Sequence, residues 1–295
     1  MKDINNLVVD INQVLDGMGG WDEAINREFQ DNIGNTMMGR LGNRVSENPL
    51  ARGGLRMSNL GQPCTRKLWY SINLPAGSGE QLTASTKFKF LYGDILEDVV
   101  VFLAKAAGHE VTGEQDRMEI DGIVGHRDCV IDGMTVDVKT ASPFAFTKFA
   151  NHELRGEGND AFGYIEQLSS YVFAASADPL VTDKEQGAFL AVDKVSGKLC
   201  LDVYDFTEEI ENKMDNVDRV RADVSGDEPP TRAFDPVPDG AAGNMKLPVN
   251  CSYCDHKRSC HPGVRTFLYS GGPRFLTEVA KLPVNKYGPI REVTA

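Results

Sequence analysis

A two-residue Asp132-Gly133 step between two apolar runs, 127–131 and 134–140, constrains this chain more than any other feature. Tight hairpin turns need positive φ at their central residues, which Asp and Gly adopt most readily, so the two runs become adjacent antiparallel strands. The turn then brings Asp128 and Asp137 towards the same end of the hairpin. Asp137 and Lys139 are two positions apart and share a face of their strand. Acids are depleted in strands, and a lysine beside them in an apolar run is costly unless something pairs them. A divalent cation held by two carboxylates is one solution; Mg²⁺ accepts such sparse oxygen coordination and keeps several waters. Lys139 could then position or activate a water, or stabilise charge developing on a phosphate. An exposed hairpin with an ordinary surface ion pair accounts for the same residues.

Around this hairpin the periodicity alternates. Residues 4–18 place Ile4, Leu7, Val8, Ile11 and Leu15 on one helical face, and Trp21, Ile25 and Phe29 mark a second, short helix. Residues 36–63 are rich in Gly, Asn and Arg and read as irregular. The most apolar helix spans 86–107 and closes at Gly108. A strand at 117–124 precedes the hairpin, a helix at 160–176 follows it, and 187–193 pairs with 198–205 through a turn at 195–197. Residues 207–224 form an acidic helix capped by Thr207, and five prolines make 225–250 a tether. The order describes one α/β core with appended pieces.

The longest uninterrupted apolar run, 99–104, is far short of the ~20 residues of a membrane span. The start MKDINNLVVD lacks the pattern of a secretory signal, so a soluble, cytoplasmic protein is expected, with no membrane partner. Six cysteines in such a compartment serve metals or chemistry more often than disulfides. Net charge is −12, which on its face disfavours a nucleic-acid coat. The distribution is uneven: 40–67 holds Arg40, Arg44, Arg52, Arg56, Arg66 and Lys67 against Glu47 alone, whereas 205–228 holds nine acids and three bases.

Three further groups stand out. Glu97, in Gly93-Asp94-Ile95-Leu96-Glu97 on the apolar helix, lies on a solvated face or supplies a third metal ligand. Gln167 and Tyr171, four apart on one helical face, could hydrogen-bond a phosphate or a bound water, or be structural. Cys251-x2-Cys254-x5-Cys260 suits one soft metal centre but is one thiolate short. His256 or His261 would complete a zinc site, and Cys64 would complete an iron–sulfur cluster.

In order along the chain stand Cys64-x-Arg66-Lys67-Leu68-Trp69-Tyr70, Gly93-x-x-x-Glu97, Gly125-x-x-Asp128, Asp137-x-Lys139, Gln167-x-x-x-Tyr171 and the terminal cysteines. From about residue 61 to 261 this series resembles the RecB-like branch of the PD-(D/E)XK nucleases, with the pattern of its iron–sulfur members such as the AddB nuclease domain and the CRISPR-adaptation exonucleases. The resemblance implies a restriction-endonuclease-like core, a central mixed sheet flanked by helices. It implies that Glu97, Asp128, Asp137 and the Val138 carbonyl bind Mg²⁺ or Mn²⁺, with Lys139 catalytic and Gln167 and Tyr171 supporting the site and contacting DNA. Cys64, Cys251, Cys254 and Cys260 match the ligands of a mainly structural 4Fe-4S cluster. Cys129 and Cys200 match nothing and read as core residues. Glu97 stands where CRISPR relatives often carry His, and Asp137 where iron–sulfur relatives usually carry Glu.

The domain expectation is 1–60 as N-terminal helices and basic arm, 61–224 as nuclease core, 225–250 as linker, and 251–295 as cysteine cluster and tail. Residues 143–159 fall outside the matched pattern and could form a lid or strand-guiding loop. The expected activity is a metal-dependent DNA exonuclease acting on free ends, single-stranded or resected duplex. The setting implied by the family is bacteriophage or bacterial recombination, replication or repair, with a possible partner protein from such a pathway. The alternatives are a non-catalytic DNA-end-binding module and a zinc-knuckle interaction protein.

Overall fold

Asp132 and Gly133 both adopt positive φ, 47° and 79°, and close the expected hairpin. A Cβ on Gly133 would lie 2.2 Å from Thr182 Oγ1, so the position requires glycine for space as well as for conformation. The computed structural model describes residues 2–19, 22–45, 54–75, 77–81 and 84–293. Trp21, Glu47 and Arg52 lie outside the described residues, and Arg40 and Arg44 outside the described side chains.

Helices α1 (Leu7–Leu15), α2 (Glu23–Val45), α3 (Met57–Leu60), α4 (Thr65–Asn73) and α5 (Ala84–Ala106) come first. Strands β1 (Val111–Thr112), β2 (Arg117–Ile120), β3 (Ile123–His126), β4 (Cys129–Ile131) and β5 (Met134–Ala141) follow. Helices α6 (Pro143–Ala150) and α7 (Tyr164–Ala174) lead to β6 (Gln186–Asp193), β7 (Leu199–Asp205), α8 (Thr207–Glu211) and α9 (Lys213–Ser225). The remainder carries β8 (Val237–Pro238), β9 (Met245–Lys246), α10 (Val249–Ser252), α11 (Lys257–Cys260), β10 (Arg265–Tyr269) and β11 (Gly272–Glu278). It ends in the short strands β12 (Val284–Asn285), β13 (Gly288–Pro289) and β14 (Glu292–Val293). Among the described residues no helix is long and apolar enough to cross a membrane.

Contacts group Met1–Ala51, Leu55–Gly61 and Thr83–Arg219 into one unit, and Arg52–Gly54, Gln62–Leu82 and Val220–Ala295 into another. The first unit is mixed α/β. Its central sheet has the order β1-β4-β5-β6-β7, antiparallel except for the β5–β6 pair. Val136 and Val138 of β5 point into a core built with α1 and α5 around Leu7, Ile11, Phe102 and Leu190. The opposite face carries Phe189, Tyr204 and Phe206 under Phe149 of α6 and Leu168 and Val172 of α7. Each fully buried side chain of this kind contributes roughly 1.5–3 kcal/mol, so a one-residue slip of β5 would exchange its two faces at a cost of several such terms.

Several expected boundaries change. The strand expected at 117–124 is the β2–β3 hairpin, turned by a second Asp-Gly pair, Asp121 and Gly122, at φ 44° and 80°. The irregular segment expected from 36 is helical to Val45, because α2 continues past Phe29, which stacks on Phe102 with centroids 4.3 Å apart. The single acidic helix divides at Asn212, and Lys213 turns inward to Glu166 (2.5 Å) and Ser169 Oγ (2.6 Å). Residues 143–159 are partly helical, carrying α6. Ser142 caps α6 with Pro143 in its first turn. His152 ends the turn beyond α6 at φ 57°, fastened to Asp202 Oδ1 at 2.6 Å and stacked on Tyr204.

In the second unit, the tether expected at 225–250 contains β8 and β9. They join the expected tail in a sheet of order β14-β10-β11-β9-β8. The proline-bearing β8 is at the sheet edge, where a missing N–H is tolerated. The carbonyls of Gly226 and Pro230 are held by Trp69 Nε1 and Arg66 Nη1, both at 2.6 Å. Residues 62–82 thus belong with the C-terminal segment rather than with the core expected at 61–224.

Candidate active site and cysteine pocket

The β4–β5 register pairs Cys129 with Val136, and one step further it sets Asp128 opposite Asp137. Val138 N–H donates to Asp128 Oδ2 at 2.8 Å, so the backbone of β5 orients the first acid. Asp137 is buried on the face covered by α7. Its Oδ1 accepts from Gln167 Nε2 at 3.4 Å. Its Oδ2 has Lys139 Nζ at 2.5 Å as an ion-pair partner and takes no well-aligned hydrogen bond from the described residues. A buried carboxylate oxygen left in this state has coordination to spare.

Burial works to neutralise Lys139, but Asp137 and then Asp128 more than reverse it, holding the ammonium well above its ordinary pKa. The Lys139 charge is therefore permanent at neutral pH. Burial pushes the Tyr171 phenol up, with Asp137 and Asp128 adding to the effect, so it acts as a neutral hydroxyl; it is hydrogen-bonded to the His126 backbone. Gly125 makes room for this ring: a Cβ there would lie 2.7 Å from Met57 Cβ and 3.0 Å from Tyr171 Oη.

Glu97 approaches from α5. Gly93, one turn earlier, lets the helix come close to β5, with only 3.2 Å between a Cβ at that position and Thr140 Oγ1. Glu97 Oε1 accepts from Gln115 Nε2 at 2.8 Å, and Glu97, Asp128, Glu114 and Gln115 line one pocket walled by α2 and α5. Burial, followed by the charges of Asp128, Glu114, Glu97 and Asp137, raises the Cys129 thiol well above its ordinary value, so all four carboxylates act on one point of the sheet. Cys129 is a core residue, whereas Cys200 is half-buried.

The structure thus brings Asp128, Asp137, Lys139, Gln167 and Tyr171 together and sets Glu97 on the wall of a pocket shared with Asp128. Sequence reasoning missed Tyr164, whose ring lies 4.8 Å beneath Lys139 Nζ. Its spacing to Gln167 and Tyr171, three and seven residues, was the available signal. Glu114 and Gln115 were also missed, and no periodic pattern marks them.

In the second unit, Cys64 precedes the first turn of α4, Cys251 lies in α10, and Cys260 ends α11. All four cysteines line one pocket with Arg66, Lys67, Lys257 and His261. Burial and then the neighbouring Cys64, Cys254 and Cys260 thiols push Cys251 up to about 12. Polar contacts fasten sequence-distant segments here: Lys257 and Arg258 both pair with Glu80, at 2.5 and 2.8 Å, and His256 Nε2 meets Ser71 Oγ at 3.1 Å. His256 Nε2 is thereby engaged outside the pocket, while the buried His256 Nδ1 and His261 Nε2 have no hydrogen-bond partner among the described residues.

Among the described residues no three His, Cys, Asp or Glu side chains close on one ligation point, in either unit. The donor sets nevertheless suit two different ions. The hard carboxylates, with Asp137 Oδ2 taking no hydrogen bond from the described residues, suit Mg²⁺ or Mn²⁺, and four thiols flanked by cations suit an anionic metal–thiolate centre. Neither a protein-family model nor a characterised protein matches the chain.

Proposed function

We propose that the chain is a metal-dependent deoxyribonuclease of the PD-(D/E)XK type, acting as an exonuclease on free DNA ends. The observation that carries this reading is the Asp128–Asp137 pair across the hairpin, with Lys139 permanently charged beside it. Asp128 and Asp137 would hold Mg²⁺ or Mn²⁺, with Glu97 an acid of α5 on the wall of the pocket that Asp128 also lines. When bound, the ion would lower the pKa of a water and neutralise phosphate charge. Lys139 is placed to stabilise charge on a phosphate oxygen, and Gln167 orients Asp137. Tyr171 offers a neutral hydroxyl at the same face.

Cys64, Cys251, Cys254 and Cys260 would hold a 4Fe-4S cluster with a structural role, and the cations on the pocket wall offset its charge. The exonuclease assignment and a bacteriophage or bacterial recombination, replication or repair setting rest on the sequence resemblance. Anaerobic purification, iron analysis and a time course on end-labelled DNA test the reading. Shortening from ends is expected with Mg²⁺ or Mn²⁺ and not with EDTA, and D137N is expected to be inactive. DNA binding without cleavage under any ion would identify a non-catalytic end-binding module. A colourless, zinc-loaded protein would assign the pocket to zinc, with His261 at hand as a donor.

A further inference from the structure

A continuous series of contacts leads outward from Asp137. Lys139 Nζ lies 2.5 Å from Asp137 and 4.8 Å from the Tyr164 ring, and Tyr164 meets Phe162 at a centroid distance of 5.6 Å. Phe162 is 55% exposed and Phe144, on the first turn of α6, is 78% exposed. Lys148 connects them: its Nζ lies 5.2 Å from the Phe144 ring and donates to Asn159 O at 2.8 Å, in the loop that carries Phe162.

A second aromatic–lysine stretch reaches the same end of β5. On α5, Phe88 (70% exposed) and Tyr92 are one turn apart on one face, and Lys87 and Lys89 flank Phe88 in sequence. Tyr92 Oη donates to Lys194 O at 3.4 Å, and Lys194 N–H donates to Ala141 O at 3.1 Å. Ala141 is the last residue of β5, and α6 begins two residues later.

Single exposed aromatics are ordinary, but rings alternating with lysines on both flanks of a candidate phosphodiester site call for a partner with both flat apolar faces and negative charge. A single strand of DNA has both. Its unpaired bases offer π-faces that a duplex keeps in its own stack, and its phosphates match the lysines. An apolar protein partner would match the rings and leave the lysines unanswered.

We propose that Phe88, Tyr92, Phe144 and Phe162, with Lys87, Lys89 and Lys148, form a stacking surface for unpaired bases that delivers single-stranded DNA to the Asp137 site. This rests on the nucleolytic reading for what happens to the strand, and not for its capture.

The test is fluorescence anisotropy on the full chain in EDTA. The probes are a labelled single strand, the same strand in a blunt duplex, and an abasic strand of equal length. F144A/F162A and F88A/Y92A should each weaken single-strand binding about ten-fold or more, with duplex binding changed less than about two-fold. The abasic strand should bind wild type and variants alike. Hydrolysis of bis(p-nitrophenyl) phosphate with Mn²⁺ should be unchanged in both variants, since that substrate bypasses the stacking surface, which also verifies the fold. Unchanged single-strand affinity would overturn the proposal, as would a parallel loss on the abasic strand. So would sedimentation showing that the variants abolish a dimer without weakening strand binding. A wild type that binds single strands through these rings but cleaves nothing would end the nuclease reading and leave this one standing.

Discussion

The carboxylate face of the first unit and the thiol pocket of the second are organised in opposite ways. Asp128 and Asp137 are set by a strand register, with Val138 N–H, Gln167 and Lys139 beside them as partners. The four thiols come from segments 187 positions apart in sequence, and Cys251 and Cys254 are pushed towards their neutral forms chiefly by burial. The first gathers its donors along one hairpin by backbone pairing, the second from distant segments around a pocket lined by cations, and in the proposed reading an ion would complete either site. Ion removal should therefore silence one and loosen the other.

The largest expected effect separates the two on this basis. D137N should lower cleavage by about 10³-fold while iron content stays close to wild type; the protein still folds, with its melting temperature lowered because Lys139 loses its partner, as read by end-labelled DNA assays and calorimetry. A fully active D137N would refute the role of the acid pair. C254S should strike the pocket instead: the absorbance near ~400 nm disappears and Tm falls by about 10 °C, because metal-binding energy at such a site is folding energy. A C254S protein that melts with wild type would reduce the pocket to a dispensable one.

Next in size is the buried pair itself. K139M leaves Asp137 buried and unpaired and should destabilise by about 3–5 kcal/mol, whereas adding K139M to D137N should cost far less, a coupling readable in a double-mutant cycle. Lys139 is held above its ordinary pKa. Its stabilisation is thus fully present below about pH 10.4 and is lost only as pH rises through the higher folded value. The wild-type advantage over K139M should stay flat between about pH 6 and 9 in thermal melts; a loss within that window would show that the pair is not what stabilises the site. The smallest expected change is G125A, where crowding of Met57 and Tyr171 should lower Tm by about 2–4 °C and reduce activity by displacing the Tyr171 ring.

The acid pair was legible because an Asp-Gly turn dictates geometry as well as element type, and Gln167 and Tyr171 because helical spacing does the same. The second Asp-Gly, at 121–122, carried the same signal inside what reads as one continuous strand. Helix α2 was hidden by Gly34, Gly39 and Gly42, which weaken intrinsic helicity; the Phe29–Phe102 stack supplies tertiary packing that no local propensity contains. The C-terminal sheet was hidden by brevity, since two-residue strands such as β8, β9 and β14 cannot display alternation. In 207–224, read as one acidic helix, no pattern marked Lys213, whose buried ammonium meets Glu166 and Ser169 of α7.

The Asp132-Gly133 turn also bears on how this sequence can change. One residue added or deleted anywhere between Asp128 and Asp137 would either break the turn or rotate every side chain of β5, replacing Asp137 and Lys139 with the valines that flank them. In a library of single-codon insertions and deletions selected for activity, those eight positions should form a gap. Surface connections such as 195–197 should tolerate length changes, which makes the spacing of this short interval as informative as the identity of its acids.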